Sequence, residues 1–191
     1  MTDCIHDKIK LRKHYLQRRN KMPDLWRDQL SANLVSQLKS LFDQYQPSVV
    51  HAFIPFGTEV NIYPILEFCL SKSIRLVTPR IQKKPIMLHL VTRTLTEVKK
   101  NNYGIRETTS KEFYRGAYDI ILVPGVLFHR SGFRIGYGGG YYDHFLAQHP
   151  EALKIGIVYP LQITKIPLPI ESHDIPVDFI LTGKTVIKSD E

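Results

Sequence analysis

The twelve residues Gly132-Phe133-Arg134-Ile135-Gly136-Tyr137-Gly138-Gly139-Gly140-Tyr141-Tyr142-Asp143 include five glycines, three tyrosines, one arginine and one aspartate. Glycines let backbone N–H groups approach an anion without interference from a Cβ atom. The stretch lies between a strand signal, Tyr118 to Val123, and a helical signal, Tyr141 to Ala147. A helix N-terminus adds unpaired donors and the positive end of a dipole. The pattern suits a phosphate cradle, with a cation on one side and a metal-binding carboxylate on the other. A plain flexible loop is the alternative that these residues leave open. No Lys-Ser or Lys-Thr follows the last glycine, so this is no Walker loop, and it only approaches a dinucleotide fingerprint.

A second set of chemistry-bearing residues lies near the start. Lys8 and Arg12 are four residues apart and share one face of a helix. They belong to a basic segment that also holds Lys10, Lys13, Arg18, Arg19, Lys21 and Arg27. The chain carries a formal net charge of +8, which favours an anionic partner. A nucleotide, a nucleic acid or a solvated, salt-bridging helix face would each account for the charge. The segment contains no recognisable nucleic-acid motif.

The elements that position these residues alternate. Residues 4–20 read as a basic helix, and a second helix is expected from Asp24 to Tyr45, with Leu30, Leu34, Leu38 and Leu41 on one face. Ser48 to Pro55 reads as a buried strand, Val60 to Leu70 as a helix, and Ile74 to Thr78 and Ile86 to Val91 as strands. Leu153 to Val158 and Asp178 to Leu181 supply the last main strands. This order predicts an α/β fold, a single domain over residues 1–191 with a mostly parallel, Rossmann-like sheet covered by helices on both faces. Ligands of such sheets gather at the C-terminal ends of the strands. Phe56 to Glu59, Pro79-Arg80 and Pro124 to Gly140 each follow a strand and would share that rim. Asp178 begins a strand, and by the same rule belongs to the opposite rim.

The 191 residues are enough for one substantial core, and 43% of them are hydrophobic, as in ordinary globular proteins. No apolar run reaches membrane-spanning length and the start has no signal-peptide apolar segment, so a cytoplasmic protein is expected. Cys4 and Cys69 form no zinc or redox spacing. Cys69 is expected in the core, and Cys4 as a terminal bystander.

Val123-Pro124-Gly125-Val126-Leu127-Phe128, followed by Arg134 to Asp143, resembles the signature of the 5-formyltetrahydrofolate cyclo-ligase family. Lys8-Ile9-Lys10-Leu11-Arg12 resembles its Lys-x-x-Leu-Arg element, and Phe53 to Val60 its Glu-containing segment. Pro79-Arg80, Met87, Tyr159, Gln162 and His173-Asp174-Ile175-Pro176-Val177-Asp178 follow in the family's order. The resemblance implies ATP- and Mg²⁺-dependent cyclisation of 5-formyltetrahydrofolate, with one or several glutamates, to 5,10-methenyltetrahydrofolate, giving ADP and phosphate. It implies neither a nucleic-acid partner nor a membrane. An RNA-binding or regulatory protein on the same fold, or a ligase or kinase acting on another small heterocycle, are the competing readings.

The resemblance also implies roles. Lys8, Ile9, Lys10, Leu11, Arg12, Arg134, Ile135, Gly136, Tyr137, Gly138, Gly139, Gly140, Tyr141 and Tyr142 would bind ATP. Glu59 would accept hydrogen bonds from the folate, with Ile54, Phe56 and Tyr141 as its walls. Asp143 and Asp178 would hold Mg²⁺, and no residue serves as a covalent nucleophile. Three departures from the family stand out: His129 where aspartate is usual, Tyr137 and Gly139 where some relatives have lysine or arginine, and Glu107-Thr108 in place of Glu-Pro.

Overall fold

The computed structural model describes residues 2–82, 86–101 and 104–189, without the side chains of residues 2–5. The Cys4 side chain therefore lies outside the described residues. Four α-helices are described: α1 (Thr2–Asn20), α2 (Asp24–Tyr45), α3 (Tyr63–Ser71) and α4 (Tyr141–Ala147). The strands of the first half are β1 (Val49–His51), β2 (Arg75–Ile81), β3 (Met87–Val91), β4 (Val98–Lys100) and β5 (Arg106–Thr108). Those of the second half are β6 (Ile120–Pro124), β7 (Leu127–His129), β8 (Arg134–Ile135), β9 (Leu153–Ile157), β10 (Ile163–Thr164), β11 (Phe179–Leu181) and β12 (Val186–Lys188).

Seven strands form the main sheet in the order β12-β11-β9-β6-β1-β2-β3. The inner pairs, from β11 to β2, are parallel; β12 and β3 are antiparallel edges. From β1 the chain passes first to β2 on one side and later to β6 on the other. The crevice between β1 and β6 is thus the point where strand order reverses, the usual ligand position in such sheets.

Side-chain alternation divides the core into two layers. Ile120, Leu122, Ile155 and Leu181 pack with Leu34 and Leu38 of α2 and Ile65 and Leu66 of α3. Ile121, Val123 and Ile180 face the other way, onto Phe128, Phe145 and Leu146. Helices therefore cover both faces, as the sequence predicted. Cys69 is fully buried in the α3 layer, and burial pushes its thiol up to about 12.

Several features differ from the sequence reading. β1 ends at His51 because residues 52–55 turn onto the rim that carries Glu59. Helix α3 starts at Tyr63 rather than Val60, which puts Pro64 in its first turn, where the missing N–H breaks no helical bond. β3 runs antiparallel to β2, and the short β7–β8–β10 sheet and the β4–β5 hairpin were not anticipated.

Candidate functional site

The glycine loop joins β8 to α4 and is seated on α1. Arg12 Nε donates to Gly136 O at 2.7 Å. Gly138 has φ +93°, and a Cβ there would lie 3.2 Å from Arg12 Cζ. Only glycine gives this left-handed backbone and this close approach together. Arg12's two terminal nitrogens have no hydrogen bond among the described residues. Seven residues further along the same helix face, Arg19 Nη1 donates to the Tyr137 hydroxyl at 2.8 Å. The loop is thus fastened to α1 at two points.

Tyr137 in turn donates to Glu59 Oε1. Glu59 Oε2 accepts the Phe56 N–H at 2.9 Å. Each carboxylate oxygen keeps a further lone pair for an incoming N–H donor. Burial pushes the Glu59 carboxyl up, while the Tyr137 hydroxyl, the Phe56 N–H and the Arg19 charge pull it down. The structure therefore brings Glu59, from the segment after β1, against the glycine loop. Ile54 is buried behind that segment and Phe56 is exposed on it. Tyr141 donates to Gln82 O at 3.2 Å at the end of β2, and Met87 lines the adjoining cavity. The Tyr142 hydroxyl is buried without a partner among the described residues, near enough to Glu59 for that charge to help hold its proton on, after burial.

Behind the loop lies a charged cluster. Arg134 is buried, with Nη1 donating to Ile175 O at 2.6 Å and Nη2 to Asp143 Oδ1 at 2.9 Å. Its guanidinium thus faces Asp143 and the 171–175 loop, not the glycine cradle. Asp143 Oδ1 also accepts the Ile175 N–H at 3.2 Å, and Oδ2 has no hydrogen bond among the described residues. The residue before Ile175 is Asp174. Its Oδ2 accepts from Lys8 Nζ at 2.6 Å and from the Glu171 N–H at 2.8 Å. Lys8 also pairs with Glu171 at 2.8 Å. Glu171, His173 and Asp174 present ligand atoms within 4.8 Å of one another.

Asp178 is not part of this cluster. It stands at the N-terminal end of β11, where its Oδ2 accepts the Lys154 N–H at 2.6 Å and its backbone N–H bonds Lys154 O. The carboxylate that shares surroundings with Asp143 is Asp174, four residues earlier. The structure does not bring the expected pair Asp143 and Asp178 together: strand pairing fixes Asp178 against β9, and Pro176 and Val177 separate it from the loop that meets Asp143.

Of the basic segment, Lys8, Leu11 and Arg12 turn inward, while Ile9 and Lys10 are exposed. Leu11 packs with Leu127, Ile135 and Leu168. Arg80 donates to Ser110 O at 2.9 Å and to Thr108 O, so it anchors the chain after β5. Gln162 bonds Gly125 O, Val126 O and the Tyr159 N–H, fixing the turn after β6. Arg19 and Asp174 were missed from sequence. Arg19 continues the Lys8, Arg12, Tyr15 face at a spacing of three to four residues, and that periodicity was the available signal.

A protein-family model described as the 5-formyltetrahydrofolate cyclo-ligase family matches residues 4–183. A 5-formyltetrahydrofolate cyclo-ligase of Mycolicibacterium smegmatis is 27% identical over 186 residues, 93% of this chain and 94% of that protein. One from Haemophilus influenzae is 26% identical over 166 residues, 83% of this chain and 88% of that protein. Among solved structures, the 5,10-methenyltetrahydrofolate synthetase of Aquifex aeolicus superposes with a TM-score of 0.82 at 31% identity, covering 96% of this chain and 93% of that one. Among the described residues, no helix is long and apolar enough to cross a membrane.

Proposed function

The chain belongs to the 5-formyltetrahydrofolate cyclo-ligase family, and from that premise we propose that the rim between β1 and β6 closes 5-formyltetrahydrofolate to 5,10-methenyltetrahydrofolate at the expense of ATP. The observation that carries this reading is the contact between Glu59 and Tyr137. It sets a carboxylate suited to pterin N–H donors directly against a glycine loop suited to phosphates. A reaction that moves a phosphoryl group from one ligand to another needs those two sites side by side.

The formyl oxygen is a poor leaving group. Phosphorylation by ATP makes it an imidate-like phosphate, N10 attacks the formyl carbon and gives up its proton, and the carbon–oxygen bond breaks as phosphate departs from the closed five-membered ring. Positioning and charge neutralisation supply such catalysis, with no protein nucleophile required. Arg12 offers its terminal nitrogens to phosphate from beside Gly138. Lys8 reinforces that face while steadying Asp174 and Glu171. Ile54, Phe56 and Tyr141 bound the space for the folate rings, and Tyr142 offers its unpartnered hydroxyl beside them.

Mg²⁺ fits the residues present: Asp143 Oδ2 and Asp174 Oδ1 are hard oxygen donors not taken by the hydrogen bonds of their partner atoms. Asp143 with Asp174 would hold it, and when bound it would neutralise phosphate charge. Residues 1–191 are read as one domain carrying the whole reaction. A glutamate tail on the folate, one residue or several, is part of the substrate.

The test is spectroscopic. Purified protein with Mg-ATP and 5-formyltetrahydrofolate should develop methenyltetrahydrofolate absorbance together with stoichiometric ADP. Neither absorbance change nor folate-dependent ATP cleavage, in folded protein, would overturn the proposal.

A further inference from the structure

Arg19 is a buried cation, 4% exposed, in the last turn of a helix whose other basic residues are mostly solvated. Its Nε donates to Thr58 Oγ1 at 3.1 Å and its Nη1 to the Tyr137 hydroxyl at 2.8 Å. Thr58 in turn donates to Asn20 Oδ1 at 2.6 Å, and the Arg19 guanidinium lies 5.7 Å from the Tyr137 ring centre. Thr58 is the neighbour of Glu59, so Arg19 grips the Glu59 segment and the glycine loop at once.

Donor chemistry fixes the polarity of this chain of bonds. Arginine has donors only, so the Tyr137 oxygen must accept from Arg19. Its single proton is then directed to Glu59 Oε1. The second carboxylate oxygen accepts a backbone N–H from Phe56. Both bonds are ones that an ionised Glu59 accepts.

We propose that Arg19 is a positioning residue for the folate-binding carboxylate, acting through Tyr137 so that Glu59 is aimed when the glycine loop is seated on α1. The identity of the ligand that Glu59 receives rests on the cyclo-ligase reading; the relay itself does not. Tyr137 lies between Gly136, which Arg12 holds, and Gly138, which packs on Arg12. The phosphate cradle and the folate acceptor therefore share one anchored segment, and a disturbance of either reaches the other. Burial pushes the Glu59 carboxyl up and prevails on balance; the Tyr137 bond, the Phe56 N–H and the Arg19 charge oppose it, so losing either Tyr137 or Arg19 should push it further up.

The experiment has two readouts on Arg19→Met, Arg19→Lys and Tyr137→Phe. The first is titration of the Glu59 carboxyl by carbon NMR in ligand-free protein, assigned with Glu59→Gln. Arg19→Met should raise the midpoint by about one pH unit. Tyr137→Phe should raise it as well, and Arg19→Lys should raise it less than Arg19→Met. The second readout is kinetic. Arg19→Met and Tyr137→Phe should each raise the folate KM roughly tenfold while leaving the ATP KM much less changed, and the double variant should be little worse than either single one.

An unshifted Glu59 midpoint in folded Arg19→Met overturns the relay, as do single-variant losses that multiply in the double variant. If Arg19→Met does not fold, Arg19→Lys and Tyr137→Phe, whose ring is exposed, decide the matter by the same titration. A parent protein without cyclo-ligase activity but with the predicted titration shifts would sink the substrate assignment and leave the relay standing.

Discussion

Lys8 Nζ and Asp174 Oδ2, 166 residues apart in sequence, are joined at 2.6 Å. The bond ties the first helix to the loop that meets Asp143, and Glu171 completes it from the same loop. Burial lowers the Lys8 ammonium value, but the bonds to Asp174 and Glu171 outweigh it, and the net shift is upward from 10.5. A raised lysine stabilises the fold below its unfolded value and loses that contribution as pH rises through the folded one.

Lys8→Met should therefore cost about 1–2 kcal/mol of stability at neutral pH, since both loop carboxylates lose their cation. The gap to the parent should stay flat through neutral pH and close only above the ordinary lysine range. Urea unfolding from pH 7 upward measures it. A gap that closes below pH 9 would remove Lys8 as the titrating group.

Asp143 and Asp178 should separate cleanly. Asp143→Asn is expected to raise the Mg²⁺ concentration needed for half-maximal turnover several-fold, because it removes a charged donor facing Asp174 and Arg134. Asp178→Asn should instead lower stability by roughly 1–3 kcal/mol through the weakened bond to the Lys154 N–H, with Mg²⁺ dependence unaltered. Mg²⁺ titrations at fixed ATP and folate, alongside unfolding curves, distinguish them. Reversed behaviour would return Asp178 to the metal assignment.

Glu59→Gln should impair folate use more than nucleotide binding. The amide has half the acceptor capacity of the carboxylate and no charge. Equilibrium binding of each ligand alone checks this, and a loss confined to ATP would contradict it.

Gly138→Ala should strain the backbone at φ +93° and press on Arg12. An ATP KM raised roughly tenfold, with a stability loss of about 1 kcal/mol or more, is expected. Arg134→Ala, whose guanidinium bonds Asp143 rather than the cradle, should act more on Mg²⁺ dependence than on ATP affinity. Initial-rate kinetics over both ligands separates the two effects.

Acid should loosen the layer under α4. His51 is fully buried, its two ring nitrogens without a hydrogen bond among the described residues and its ring centre 4.6 Å from that of Phe145. Burial, then the charges of His89 and His149, hold it well below 6.5; His89 falls to about 4 for the same reasons of burial and His149. Tyr118 and Tyr142 are the other titratable rings packed on this pair, and Lys154 adds to the lowering at His149. A depressed histidine leaves the unfolded state holding more protons below pH 6.5, so stability falls as pH drops. His51 alone accounts for up to about 1.4 kcal/mol per pH unit there. Denaturation between pH 7 and 4 should show this loss, and His51→Leu should flatten it. An unchanged slope in that variant would exclude His51.

The parts of this architecture legible in sequence were those with local causes. The bounds of α2 follow from its leucine face and the closing Pro47; α4 follows the glycine loop. The short β7, β8, β10 and β12 are two or three residues long, too short to show a periodicity; β8 and β12 each pair back on the strand just before them, and β10 depends on β7, far earlier in the chain. At the candidate site, Glu59, Arg12 and Asp143 were singled out by motif, and the structure sets Glu59 and Arg12 against the glycine loop and Asp143 against Arg134. Arg19 was not, because one inward cation on a basic helix looks like its solvated neighbours. The choice between Asp174 and Asp178 depends on strand register, which two aspartates four residues apart do not encode.

The bonds that seat the glycine loop and the C-terminal loop on α1 join residues 118, 124 and 166 positions apart. A chain synthesised from its N-terminus makes α1 first and its partners last. Closing such long loops costs entropy that only an existing sheet can offset. Helix α1, which precedes all of these partners in the chain, therefore depends on the sheet for its docking, and the rim that carries Glu59 and the glycine loop is fastened once the scaffold beneath it is in place.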